Sequence, residues 1–223
     1  MGTLYLVRHG QASFGAENYD QLSPLGERQS ERLGVYLRQR GHRFDRVITG
    51  TLQRHLQTFD ALARGLQADH HQPLRRAGLN EYDSAALIAT VHPLPLQRAT
   101  SPEQYRHHFR LLREALKLWM AGSTQPAGMP SYRDFVAAIA ELLDEVRRGD
   151  DTQVLLVSSG GPISTAVGHI LGSPAEVTID LNMRMRNTAL TEFVFTPKRH
   201  MLVTFNTLPH LDGDEHADWV THA

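Results

Sequence analysis

The sequence contains no cysteine, which excludes disulfide staples and thiolate metal sites. It has no long apolar run: nothing approaches the roughly 20 residues that span a bilayer. Its start, MGTLYLVRHGQ, is interrupted by Arg8 and His9 too early for a signal-peptide core. It has no surplus of one charge either, with 23 Lys and Arg against 24 Asp and Glu, a formal net charge of −1. No global basic field therefore recruits nucleic acid or an anionic membrane, and any anion site must be local. Internal repeats and low-complexity linkers are also absent. These absences together lead to the expectation of a soluble cytoplasmic protein.

What is present suits one sizeable core. The chain has 223 residues, and its 41% of apolar residues is ordinary for a globular domain. TLYLV (3–7), DRVITG (45–50) and TQVLLVS (152–158) read as short buried strands. Between them lie helical patterns over 22–41, 51–66, 101–122, 131–149 and 161–172. Several open on Ser-Pro or Ser and close on Gly, the chemistry of helix caps. LTEFVF and HMLVTFN read as a hairpin around TPKR. Prolines break up residues 67–100, where only 83–90 looks helical. The expectation is an α/β fold, a three-layer α/β/α sandwich around a mostly parallel sheet. One domain is expected over 1–223, with an insertion at 92–130 and a surface tail over 207–223.

In open α/β sheets, ligands bind beyond the carboxyl ends of the strands. The first strand ends in Arg8-His9-Gly10-Gln11. The second leads to Thr49-Gly50-Thr51, with Arg54 one turn into the next helix. The third ends in Ser158-Ser159-Gly160-Gly161, where a new helix starts. Each motif alone is ordinary edge or turn chemistry. Together they bring two guanidiniums, an imidazole, hydroxyls and the N–H groups of a helix start to one sheet edge. That set suits a phosphate or another compact oxyanion. A serine hydrolase fits poorly, because Val157 stands where the first glycine of a Gly-x-Ser-x-Gly elbow on Ser159 belongs.

These segments resemble the histidine phosphatase superfamily, the phosphoglycerate mutase-like proteins. LYLVRHGQ is similar to its signature, and YDQLSPLGERQSERLG, VITGTLQRHLQTFDAL, GLNEYD, VLLVSSGGPIS and MRNTALTEF resemble its later segments. The resemblance runs from residue 3 to about 195. It implies a phosphoglycerate mutase-like fold and hydrolysis of a phosphomonoester through a phosphohistidine. His9 would be the nucleophile and Glu81 the proton donor and later base, with Asp83 its nearest competitor. Arg8 and Arg54 would hold the phosphoryl oxygens. Ser159, Gly160, Ser13 and Gln11 are further phosphate-binding candidates. No cofactor and no metal is expected, since the arginines supply positive charge. The expected partner is a small phosphorylated substrate, without nucleic acid or membrane; a homodimer is left open.

Three departures stand out. Ser159 occupies the place of the family's second catalytic histidine, which trades a charge-capable donor for a neutral one. QASFG follows the signature where many members carry Glu-Thr and an Asn, so Ser13 is the candidate replacement donor. LNEYDSAALIATVHPL lacks the Arg-x-Tyr-Gly motif of the mutases, so phosphatase is preferred over mutase-type transfer. Phe14 and Tyr82 suggest a leaving group that need not be highly charged. A catalytically weak member that only binds a phospho-ligand or a partner is the alternative. The adjacent pairs His70-His71 and His107-His108 do not face one metal, and HLDGDEHADWVTH (210–222) is expected to be a solvated tail. His169 is expected to pack structurally.

Overall fold

A computed structural model describes residues 1–13, 20–67, 72–94, 96 and 101–222. Phe14, His70 and His71 lie outside the described residues. The strands are β1 (Gly2–Arg8), β2 (Arg46–Thr49), β3 (Leu74–Arg75), β4 (Gln153–Ser158), β5 (Leu190–Thr196) and β6 (Arg199–Thr207), ordered β3-β2-β4-β1-β5-β6 in one sheet. β3, β2, β4 and β1 run parallel, while β5 lies antiparallel to β1 and β6 antiparallel to β5. The helices are α1 (Pro24–Gln39), α2 (Gln53–Leu66), α3 (Ser84–Ala89), α4 (Pro102–Met120), α5 (Tyr132–Arg148), α6 (Gly160–Leu171) and α7 (Ala175–Met183).

The period-2 alternation of β1 sorts the layers. Tyr5 and Val7 join Leu33, Leu37, Phe59, Leu62, Leu155 and Val157 in a core between the sheet and α1 and α2. Leu4 and Leu6 point the other way, into a larger core with Leu116, Trp119, Ile139, Leu156, Ile163 and Phe193. The result is the expected three-layer sandwich with a mostly parallel sheet. In residues 92–130, α4 contributes Leu112, Ala115, Leu116 and Trp119 to that larger core.

Two expectations change. His169 does not pack into the core; it is exposed on α6. The segment after β6 is not a loose surface tail. Leu208 and Leu211 are buried with Ala189, and Trp219 packs against them. His210 is 1% exposed, with Nε2 at 2.9 Å from the Thr188 hydroxyl. Backbone groups then fix the last residues: the Asn187 N–H donates to the Thr221 carbonyl, and the Gln29 amide donates to the Trp219 carbonyl and the Thr221 hydroxyl. Among the described residues, no helix is long and apolar enough to cross a membrane.

Candidate active site

The parallel register pairs Arg8 with Ser158, so the residues just beyond, His9 and Ser159, leave the sheet side by side. The His9 N–H donates to the Ser158 carbonyl at 2.9 Å, locking the two strand ends together. His9 is 4% exposed. Its Nδ1 lies 2.7 Å from the Gly10 carbonyl, an oxygen that can only accept, so Nδ1 carries the proton. Nε2 is therefore left with its lone pair. Burial first, then the positive charges of Arg8 and Arg54, hold the His9 imidazole well below its ordinary value. The ring is neutral at physiological pH, which is the form a nucleophile needs.

The loop that carries His9 is held from three sides. The Gly10 N–H donates to Thr58 Oγ1 at 3.0 Å, and the Gln11 N–H donates to Gln29 Oε1 at 2.9 Å. The Asn187 amide donates to the His9 carbonyl at 3.2 Å. The Arg8 guanidinium is braced through Nη1 by the carbonyls of Met185 and His222. Arg54 stands in the first turn of α2 and is 7% exposed. Its Nη1 meets Asp20 Oδ1 at 2.8 Å, while Asp20 Oδ2 accepts the Gln53 N–H at 2.9 Å. Asp20 thus orients the arginine and caps its helix, whose own N-cap residue, Leu52, offers no side-chain acceptor.

Glu81 reaches the same place from the segment between β3 and α3. Its Oε2 accepts the Gly161 N–H at 3.1 Å, in the first turn of α6. A Cβ on residue 161 would sit 2.1 Å from Glu81 Oε1, so only glycine leaves room for the carboxyl. Desolvation raises the Glu81 carboxyl above its ordinary value, against the lowering pull of the Gly161 N–H, Arg8 and Arg54. A carboxyl so raised is suited to donate a proton. Asp83, the competing acid, is committed to capping α3, accepting the N–H groups of Ala85 and Ala86.

The lesser candidates sit as follows. The Ser13 hydroxyl donates to the Leu22 carbonyl at 3.0 Å. Gln11 Oε1 accepts the Ser23 hydroxyl at 2.7 Å. Gly160 opens α6, and Ser159 is its N-cap residue, fully buried. The Tyr82 hydroxyl accepts the Asn182 amide at 2.6 Å, and its ring meets Trp119 edge to face.

One residue escaped the sequence reading. His55, fully buried on α2, places Nε2 2.7 Å from Ser159 Oγ. Its ring centroid is 5.8 Å from that of His9. The signal was available in the periodicity: His55 lies four residues before Phe59 and seven before Leu62, on the stripe α2 buries.

The sequence profile of the histidine phosphatase superfamily (branch 1) matches residues 4–208. The chain belongs to this superfamily. Among the superfamily's proteins, a 2,3-bisphosphoglycerate-dependent phosphoglycerate mutase of Rhizobium etli is 29% identical over 175 residues, 73% of this chain and 77% of that protein. A broad-specificity phosphatase of Saccharomyces cerevisiae is 32% identical over 84 residues, 35% of this chain and 36% of that protein. The fold is shared with a phosphoserine phosphatase of Entamoeba histolytica (TM-score 0.64, 20% identity, 95% of this chain and 100% of that chain). It is shared also with a mycobacterial glucosyl-3-phosphoglycerate phosphatase bound to inorganic phosphate (TM-score 0.68, 20% identity, 95% and 100%). Proteins with phosphatase and mutase names thus surround this chain.

Proposed function

We propose that this chain hydrolyses a phosphomonoester through a phosphohistidine on His9. The observation that carries the reading is the Nδ1 contact to the Gly10 carbonyl, which leaves Nε2 of a buried, neutral imidazole as the bare nucleophile. In the first step the Nε2 lone pair bonds to phosphorus and the bond to the leaving oxygen breaks. The Glu81 carboxyl gives that oxygen its proton, so an alcohol departs. In the second step water attacks phosphorus, Glu81 takes back a proton, and the N–P pair returns to Nε2 as phosphate leaves. Arg8 and Arg54 offset the charge on the equatorial oxygens throughout. No metal ion is invoked, so a chelator should leave turnover unchanged.

The test is release of p-nitrophenol from p-nitrophenyl phosphate by the wild type and by His9→Ala. The variant should fall to the uncatalysed background while keeping its fold by circular dichroism. Equal rates in the two would remove His9 from the chemistry. A second reading, mutase-type transfer between phosphoglycerates, is favoured by the Rhizobium etli relative. Against it stands LNEYDSAALIATVHPL, which lacks the arginine-bearing motif expected there. Interconversion of phosphoglycerates that outpaces phosphate release would favour that second reading.

A further inference from the structure

The Ser159 side chain is in an unusual position for an N-cap serine. Such a hydroxyl normally accepts an N–H from the first turn of its own helix. Ser159 makes no such bond. The Gly161 N–H of that turn goes to Glu81 instead. The hydroxyl is turned toward α2, where His55 Nε2 meets it at 2.7 Å.

The tautomer of His55 follows from counting partners. Both residues are fully buried, and His55 Nδ1 has no hydrogen-bond partner among the described residues. If Nδ1 carried the proton, a buried N–H would be left without an acceptor, which folded proteins rarely tolerate. If Nε2 carries it, only a lone pair goes unanswered. The second arrangement is favoured, so Nε2–H donates to Ser159 Oγ. The serine proton is then free to point elsewhere. Ser159 leaves the sheet beside His9, and the rings of His9 and His55 are 5.8 Å apart, so this buried serine stands next to the proposed nucleophile.

The room for this imidazole is specific. A Cβ on residue 50 would lie 2.1 Å from His55 Nδ1 and 2.7 Å from Cε1. Gly50, at the end of β2, is the only residue type that admits the ring there. Two sequence choices on two strand ends, Gly50 and Ser159, thus converge on one histidine from a helix.

We propose that His55 is a positioning residue for phosphoryl transfer: its Nε2–H fixes the Ser159 hydroxyl as a donor aimed at a non-bridging oxygen of the phosphoryl group. The imidazole that this pocket lacks at position 159 is supplied from α2 and acts through the serine. No proton changes hands; one hydrogen bond orients the donor of the next. The inference rests on the phosphoryl-transfer reading above and assigns that reaction a residue it did not include.

The experiment is a double-mutant cycle on p-nitrophenyl phosphate turnover with His55→Ala, Ser159→Ala and the double variant, all checked for folding by thermal melts. Removing one preorganised donor costs on the order of 10²–10³ in kcat. Ser159→Ala, a small change in volume, should lose roughly that much kcat with KM little changed. His55→Ala should lose about 10-fold or more, and the double variant no more than the worse single one, because the two act as a unit. His55→Gln, whose amide N–H can reach the same oxygen, should recover most of the kcat. Wild-type kcat in His55→Ala, or losses that multiply in the double variant, would overturn the proposal. A readout apart from turnover is the ¹⁵N shift of the His55 ring with inorganic phosphate present. An Nε2–H tautomer is expected, and an Nδ1–H tautomer would contradict the relay. If His9→Ala matches the wild type, the phosphatase reading fails by itself. The same cycle is then read on affinity for inorganic phosphate, where non-additive losses support the relay and unchanged affinity in both single variants ends it.

Discussion

Among single residues, one of the tightest fits in the site is between Glu81 and Gly161, where a methyl group at position 161 would stand 2.1 Å from the carboxyl oxygen. Gly161→Ala should therefore displace the acid and lower kcat by at least about 10-fold, within the range general acid–base catalysis supplies, and lower Tm as well, because the same Cβ would stand 2.6 Å from the Tyr82 ring; steady-state kinetics and a melt check both. The charge states give a pH profile. The proposed mechanism needs His9 deprotonated, and burial with two nearby guanidiniums pushes it well below 6.5, so the rising limb is expected on the acid side of that value. The proposed mechanism also needs Glu81 protonated, and desolvation raises it above 4.5, so activity should fall as pH climbs past the raised value. Glu81→Gln should abolish the falling limb in kcat/KM; a limb that persists would assign it to another group. Arg8 and His9 were legible as anion-site candidates because they end an apolar strand beside two other polar strand ends, and their roles came from the family resemblance. Glu81 was legible only through family resemblance, since no periodicity marks an isolated acid between Asn80 and Tyr82. His55 was overlooked because a histidine on a helix reads as polar surface, although its spacing from Phe59 and Leu62 put it on the buried stripe.

Elements position these residues through their ends. α2 starts on Leu52, which cannot cap it, and borrows Asp20 from across the chain for the Gln53 N–H and the Arg54 guanidinium. Asp20→Ala should cost about 0.5–2 kcal/mol, the usual penalty for losing an N-cap, and should also raise KM as Arg54 loses its anchor. Urea denaturation and kinetics test the two parts; an unchanged KM would mean that Arg54 holds its place without Asp20. The major helices were legible because Ser or Ser-Pro starts and Gly stops frame strong 3.6-residue patterns, and α1, α4 and α5 begin within two residues of expectation. β3 was not legible, since two residues carry no period. α7 was missed because Val177, Ile179 and Leu181 alternate like a strand, and only Thr178 and Ile179 of its residues are buried.

For the whole molecule, the sheet brings residues some 150 positions apart to one edge, a placement no local motif contains. The chain end closes the back of that edge. The His222 carbonyl braces Arg8, and Asn187 links Thr221 to the His9 carbonyl. This docking was hard to read in the sequence because part of it is made by the backbone carbonyls of Trp219, Thr221 and His222, which any residue type supplies, and the Leu208, Leu211 and Trp219 anchors follow no helix or strand period. Removing residues 213–223 should leave the two large cores intact but weaken phosphate binding through a less ordered Arg8; calorimetry with inorganic phosphate tests this, and unchanged affinity would sink it. Buried histidines set the acid stability. His55 and His210 are pushed down to about 3 and His200 to about 4, chiefly by burial. Below an unfolded value near 6.5 the unfolded chain binds more protons than the folded one, so stability falls as pH drops from 6.5 toward 4. Glu81, shifted the other way, offsets only part of this. Tm should decline over that window, with a shallower slope in His210→Gln; a flat Tm would contradict the burial of neutral imidazoles.

The central claim is that His9 Nε2 forms a bond to phosphorus. It is tested most directly by alkaline quenching of the enzyme during turnover of p-nitrophenyl phosphate, followed by mass spectrometry of the peptide that contains residues 8–10. An acid-labile phosphoryl adduct on His9, absent from His9→Ala, is the predicted result. An adduct on Ser13 or Ser159, or turnover with His9 never modified, would contradict it.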